Sequence, residues 1–312
     1  MRQILLRRLL QAFLMAWSVG TLTFVLVRLL PGDMAYKIAA GRYGDDAVNT
    51  AAAQAVALEL GLDKPAINQY FAWLWDLVSL DLGDSLVTGA PVIYELQIQL
   101  GYSVVLAGWG ILIAAAIAFP VGIISGLKAN SNWDKTALTT SAFIRSQPVF
   151  CLGLLLIFIF AMELNWLPVA GFGGGAYVIL PSLTLGLSLA AISNRIIRNA
   201  TRQAKESAYF HFAQVKGLPF YRAFNRHILP NIAIPTLAFM GIQLIGLVEG
   251  VIMIESLFAW PGIGHGLSHA VFARDIPMLQ GTALIMGFLF VLVNTMVDIS
   301  HYLLDPRVRE TR

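Results

Sequence analysis

The chain has 312 residues, of which 57% are hydrophobic and 12% charged, with a formal net charge of +3 at neutral pH. A soluble domain of this length carries about twice that share of charge, so the balance excludes an ordinary water-soluble fold and makes a lipid bilayer the expected solvent. The single cysteine, Cys151 in an apolar run, excludes an internal disulfide and thiol-pair metal or redox chemistry, and reads as a small buried hydrophobe.

Crossing ~30 Å of hydrocarbon as an α-helix takes about 20 apolar residues. Six segments reach that length, near residues 9–30, 102–126, 138–162, 177–197, 232–256 and 277–303, and the stretch 104–124 carries no charge. In lipid every backbone amide needs an internal partner, and alternating strands of about ten residues are missing, so a closed barrel is excluded. The expected fold is all-α, a polytopic membrane protein of six transmembrane helices.

The apolar run of the first segment is longer than a secretory signal's, and Arg28-Leu29-Leu30-Pro31 offers no small-residue cleavage site, so a retained helix is expected. Arg2, Arg7 and Arg8 precede it, which puts the N-terminus in the cytoplasm, and six crossings return the C-terminus there. Residues 31–101 are acidic, with Asp45, Asp46, Glu59, Asp63, Asp76, Asp81, Asp84 and Glu95 against Lys37, Arg42 and Lys64, and belong outside. Two short helices are expected there. One is the alanine-rich stretch 45–60 ended by Gly61; the other starts at Pro65 and carries Tyr70, Phe71, Trp73 and Trp75, rings suited to the membrane interface.

Lys128 and Lys135 between segments two and three, and Arg195, Arg198, Arg202, Lys205, Lys216, Arg222 and Arg226 between four and five, mark cytoplasmic connections. Gln147-Pro148 interrupts segment three and offers a polar contact to a passing solute or a helix-packing contact. The stretch 208–231 is too polar to cross and too well patterned for a linker, and reads as two short helices. In the first, Ala208, Phe212 and Val215 recur at helical spacing, and Gly217 stands where a helix end favours a left-handed residue. Pro219 suits a first helical position; Phe220, Phe224 and Ile228 then share one face, and Arg222, Asn225 and Arg226 the other. Such a half-apolar knob either enters a groove of a soluble partner or lies on anionic lipid.

Ionisable groups inside the bilayer are costly and mark functional candidates by default. The ionisable ones are Glu249 and Glu255 in or near the end of segment five and Asp298 in segment six, beside the polar amides Gln243 in the middle of segment five and Asn294 in segment six. Asp298 is read as structural, and Glu255 either as part of a polar cluster or as exposed at the outer boundary. Phe258-Ala-Trp-Pro-Gly-Ile-Gly264 is an aromatic anchor followed by a sharp turn, so Phe258, Trp260, Pro261 and Gly262 are candidates for an outer gate. His265 and His269 lie four apart, a metal-ligand spacing, but without a third ligand nearby they are read as loop structure, and no metal is expected.

Ala213-x-x-x-Gly217 followed by Ile228-Leu229-Pro230 resembles the cytoplasmic coupling motif of binding-protein-dependent ABC importer permeases. His211 and Phe212 stand where that motif has Glu and its first Ala. Arg28-Leu-Leu-Pro-Gly-Asp33, Gly61-Leu-Asp-Lys-Pro65, Asp81-Leu-Gly83, the 258–264 run and Asp305-Pro-Arg307 are similar to the peptide, opine and nickel branch of that family. Trp166-Leu-Pro168, Gly171-Phe-Gly-Gly174 and Ile179-Leu-Pro181 are similar to nickel and metal-chelate permeases.

The resemblance implies a bacterial inner-membrane permease that, with a second homologous permease, forms the path for di- or oligopeptides or nickel and metal-chelate solutes. It further implies an extracytoplasmic solute-binding protein and two ATP-binding subunits that hold ATP and Mg. Coupling to those subunits falls to His211, Phe212, Ala213, Lys216, Gly217, Leu218, Pro219, Phe220 and Arg222, with Gln147, Gln243 and Glu249 as candidates for the translocation path. No cofactor, no catalysis and no nucleic-acid partner is expected of this chain, which lacks the Gly-x-x-x-x-Gly-Lys-Ser/Thr run of a nucleotide site. The resulting division is 1–30 for the N-terminus and first helix, 31–101 for the outer helical segment, 102–304 for the permease core with coupling helices at about 205–228, and 305–312 for a cytoplasmic tail. The rivals are a secondary transporter, which would show inverted repeats, and an intramembrane enzyme, for which Ser188 and His301 have no motif context.

Overall fold

The computed structural model describes residues 2–29, 32–44, 49–59, 61, 64–79, 81–273 and 275–304; some helix side chains, those of Trp73, Glu249 and His301 among them, lie outside the description. The expected tail 305–312 and the start of the alanine-rich stretch at 45–48 also fall outside it. Among the described residues every regular element is helical, apart from an isolated bridge between Asp84 and Pro91. Four helices are long and apolar enough to span a bilayer, in Leu6–Leu26, Val92–Leu127, Gly175–Lys205 and Ile276–Ile299. A fifth crossing is available if Asn132–Ser146 and Val149–Glu163, bent by 105° at their break, count as one. The stretch expected as the fifth segment, 232–256, lies within one 29-residue helix, Leu229–Leu257. The all-α polytopic fold is therefore present, and the described residues support four or five crossings.

The chain divides into two compact units. The first, Met1–Ser103 with Pro261–Leu292, contains α1 (Arg2–Leu29), α2 (Met34–Tyr43), α3 (Thr50–Glu59) and α4 (Ala66–Val78). It also holds the start of α5 (Val92–Leu127), α12 (Ile263–Ala273) and most of α13 (Ile276–Leu304). The sequence reading left out α2, which starts because the Asp33 carboxylate accepts from the Ala35 amide at 2.9 Å and so satisfies an orphan N–H. Ile38 and Ala39 of α2 pack with Val56 of α3 and Leu86 in one buried cluster. α4 is fastened to α1 by Tyr70, whose ring meets Phe24 edge-on at 5.3 Å and whose hydroxyl lies 2.9 Å from that of Thr21. Phe71 and Trp75 of α4 stay exposed, as interface anchors would. The buried Asp275 carboxylate accepts from the Leu86 and Met278 amides and from the Ser85 hydroxyl, so one group caps α13 and holds the 81–90 turn.

The second unit, Val104–Trp260 with Val293–Arg312, holds the rest of α5, the pair α6 (Asn132–Ser146) and α7 (Val149–Leu156), and α8 (Ile179–Lys205). It continues through α9 (Ala208–Val215), α10 (Phe220–Ala223) and α11 (Leu229–Leu257). Gln147 ends α6 in an extended conformation and Pro148 precedes α7, which is the interruption the sequence announced. α5 and α8 approach closely through glycines: a Cβ on Gly126 would lie 2.6 Å from the Arg198 carbonyl, and one on Gly122 2.9 Å from that of Asn194. Asp134 near the start of α6 reaches α8 through the Arg198 guanidinium, at 2.9 Å from Nε and 2.6 Å from the second nitrogen.

Candidate functional site: the 205–228 knob and the polar cavities

α8 ends at Lys205, whose ammonium donates to the Leu127 carbonyl at 2.6 Å and so meets the negative end of α5. The chain restarts as α9 after Ser207 and stops at Gly217, which has φ +81°. The Leu218 amide donates to the Ala213 carbonyl at 3.2 Å and the Gly217 amide to that of Gln214 at 2.9 Å, the two bonds of a Schellman ending. Pro219 does not open the next helix as the sequence suggested. It is extended at ψ 148° and precedes Phe220, because the chain must swing out of the left-handed residue before it can coil again. The second helix is not separate either: α10 passes through a π-helical turn, Phe224–Ile228, directly into α11. Nothing in the sequence marks that turn; π turns concentrate at functional positions.

The knob rests on α8 and the start of α11 through Phe210, Ala213, Ala223 and Ile228, all buried with Ile197, Ala204 and Ile232. Burying a side chain of Phe210's size contributes ~2 kcal/mol. Phe210 meets Phe220 edge-on at 6.1 Å, and Phe220 stacks on Phe224 at the same separation. The face of α9 chosen from spacing, Ala208, Phe212 and Val215, is the outward one: Phe212 is 59% exposed and Val215 71%. Tyr221 is 73% exposed, and His211, Lys216, Arg222 and Arg226 are exposed as well, with the Lys216 ammonium 4.6 Å above the Phe212 ring. The knob thus offers apolar anchors rimmed by positive charge, with its own packing satisfied on the opposite side.

Gln147 is exposed at the α6–α7 break. Gln243 is committed to helix packing: its carbonyl accepts from Ser193 at 2.8 Å and its amide donates to the Leu189 carbonyl at 3.3 Å, both on α8. The side chain of Glu249 lies outside the described residues. Sequence reasoning missed a second set of polar groups. Thr136, Thr140 and Ser141 on one face of α6 line a cavity of about 240 Å³ with Trp133 and Asn194, and the Asn194 amide donates to Ser141 at 2.9 Å. The available signal was the hydroxyl spacing of i, i+4 and i+5 on α6.

Phe258 and Trp260 are buried, not free at a surface, and Ala259 between them has φ +48°. The Gly171 amide donates to the Phe258 carbonyl at 2.8 Å, and Phe172 meets Trp260 edge-on at 5.4 Å, so the 165–178 loop covers this turn. Glu255, read as a candidate for exposure, has 0% exposure, and its carbonyl accepts from the Trp260 amide at 2.9 Å. In the first unit, Pro261 and Gly262 lead into α12, whose first amide donates to Ser103 at 2.9 Å. His265 and His269 sit on α12 rather than in a loop: the eleven residues Ile263–Ala273 coil as one helix despite Gly264 and Gly266. Their Nε2 atoms are 3.1 Å apart and both rings line a cavity of about 330 Å³ with Thr88, Glu95, Gln99 and Tyr102. Burial first, and then the charge of His269, hold the His265 imidazole below its ordinary pKa.

Two family descriptions match the chain: "Binding-protein-dependent transport system inner membrane component" over residues 118–310, and its N-terminal counterpart over residues 1–92. A putative peptide transport system permease protein of Brucella abortus is 36% identical over 99% of both chains. The glutathione transport system permease protein GsiC of Pectobacterium atrosepticum is 36% identical over 93% of this chain and 94% of its own, and that of Escherichia coli is 34% identical over 97% and 98%. The crystal structure of an amino acid ABC transporter with histidines shares the fold, with a TM-score of 0.51 and 17% identity over 68% of this chain and 92% of that one. The chain belongs to the inner-membrane permeases of binding-protein-dependent ABC importers, within the peptide-transport family, and is a transport component rather than an enzyme.

Proposed function

We propose that this chain is one of two permease subunits of an importer for short peptides and peptide-like solutes, driven through its 205–228 knob by ATP-binding subunits in the cytoplasm. The relatives whose names specify peptide and glutathione transport support the substrate class. A nickel or metal-chelate cargo has no relative behind it among these. The observation that carries the coupling role is the outward apolar face of α9, Phe212 and Val215, set beside exposed Lys216 and Arg222. Anchors of this kind fill a partner's groove while the basic rim fixes orientation. ATP and Mg belong to the partner subunits on this reading, an outer binding protein delivers the solute, and the N- and C-termini are cytoplasmic. The α6 and α8 hydroxyl and amide groups around Asn194 suit the backbone of a passing peptide.

The test is co-purification of the tagged chain with its ATPase subunits, comparing wild type with Phe212→Asp/Val215→Asp and with Gly217→Asp. Both side chains of the double variant are exposed, so the fold is retained while the anchors are lost. The expected outcome is retention of ATPase by wild type and at least about tenfold less by the double variant, a loss of ~1.4 kcal/mol or more. Gly217→Asp forces a side chain onto φ +81° and weakens retention as well. Absence of any ATPase with wild type overturns the reading.

A further inference from the structure

We propose that His265 and His269 form a binding site for a divalent transition-metal ion, open to the 330 Å³ cavity of the first unit, with the remaining coordination positions filled by water or by a solute's donor atoms. The idea goes beyond transport and stands on the geometry of α12. Two imidazole nitrogens each 2.0–2.1 Å from one tetrahedral ion are about 3.3 Å apart. The two Nε2 atoms are already 3.1 Å apart, so an ion enters with a shift of a few tenths of an ångström. The spacing of four residues on one helix supplies this convergence, with the rings nearly perpendicular at 84° and their centroids separated by 4.6 Å. In the free protein the same two nitrogens share a hydrogen bond, which an entering ion replaces.

The surroundings suit a cation. Glu95 lines the same cavity, held by the Thr88 hydroxyl, which donates to its carboxylate at 2.5 Å. Gln99 lines it too, and its Oε1 is hidden from solvent with no hydrogen-bond partner among the described residues. That amide is seated against α12 at Gly266, where a Cβ would collide with it. Among the described residues no third histidine, cysteine or carboxylate closes the site. An incompletely ligated ion is what an open site requires if it is to accept a further donor from solute. Imidazole pairs favour Zn²⁺, Ni²⁺ and Cu²⁺ over Mg²⁺ or Ca²⁺.

The experiment uses the full chain purified in detergent with a histidine-free tag, stripped of metal, and titrated with Zn²⁺ alone and then with Co²⁺ alone. Wild type is expected to bind one ion per chain, with a Co²⁺ absorption spectrum typical of nitrogen ligation. His265→Gln and His269→Gln should each weaken Zn²⁺ binding by about tenfold or more, whereas His211→Gln leaves it unchanged. The His269 ring is exposed, so His269→Gln retains the fold even if His265→Gln does not, and it decides the matter by itself. Equal metal content in wild type and His269→Gln, or loss of binding only in His211→Gln, overturns the site. Neither result depends on whether ATPase subunits co-purify.

Discussion

At the residue scale the clearest energetic commitment is the Asp134–Arg198 pair. Asp134 is 1% exposed, and both guanidinium contacts fall on its two oxygens, a bidentate arrangement that ties α6 to α8. Removing one partner leaves a charge in a desolvated place, which costs about 3–5 kcal/mol, whereas removing both costs much less. Asp134→Asn is therefore expected to lower the melting temperature in detergent markedly, and Asp134→Asn/Arg198→Gln to recover part of the loss. Additive losses in that double-variant cycle would contradict a direct pair. The two were not paired from the sequence, since 64 positions separate them and Arg198 read as one of several cytoplasmic connection charges. Of the two readings left open for Glu255, exposure at the outer boundary fails, since the residue has 0% exposure. Its position at a helix end suggested water, but the chain turns back there, the Trp260 amide donating to the Glu255 carbonyl at 2.9 Å. Gly217 was legible because its requirement is local: a helix stop followed by proline needs the left-handed conformation wherever the chain sits.

At the element scale, α5 and α8 meet along Gly110, Gly122, Gly126 and Gly186, where added Cβ atoms would strike Leu185, Ile197, Thr201 and Ile113 respectively. In lipid no hydrophobic effect pulls helices together, so this close approach, and the dispersion contacts it permits, supplies the association. Gly126→Val should force the helices apart at the Arg198 carbonyl and cost ~1–3 kcal/mol, read as a lower melting temperature and a smaller monodisperse peak on size-exclusion chromatography. Gly108→Val, where open space surrounds the position, serves as the silent counterpart. The long helices were legible because bilayer thickness fixes their length independently of packing, and the break at Gln147-Pro148 because proline acts locally. α2 escaped because its signal is one capping aspartate before a mixed sequence. The merger of α10 with α11 escaped because a π turn leaves no mark in residue type.

For the whole molecule, the sequence carried the family through short motifs spread along the chain, and the matches over residues 1–92 and 118–310 agree with it. Polar groups inside the helices were read unevenly. Gln243 stood out as a lone amide in an apolar run, yet both ends of that amide are spent on α8, while the hydroxyls facing Asn194 drew no notice because threonine and serine are common in membrane helices.

From Phe220 to Leu257 the backbone coils without a loop, a length of roughly 55 Å at 1.5 Å per residue. On the proposed coupling role a crankshaft offers the parallel: no loop stands between the end that would receive torque and the end that would do the work, although Pro235 inside α11 removes one backbone hydrogen bond. Two glycines inserted after Ile228 would add a slack joint. The altered transporter should still capture its motor subunits and burn ATP, yet move almost no solute into vesicles; uptake at the normal rate would mean the stroke travels by another route.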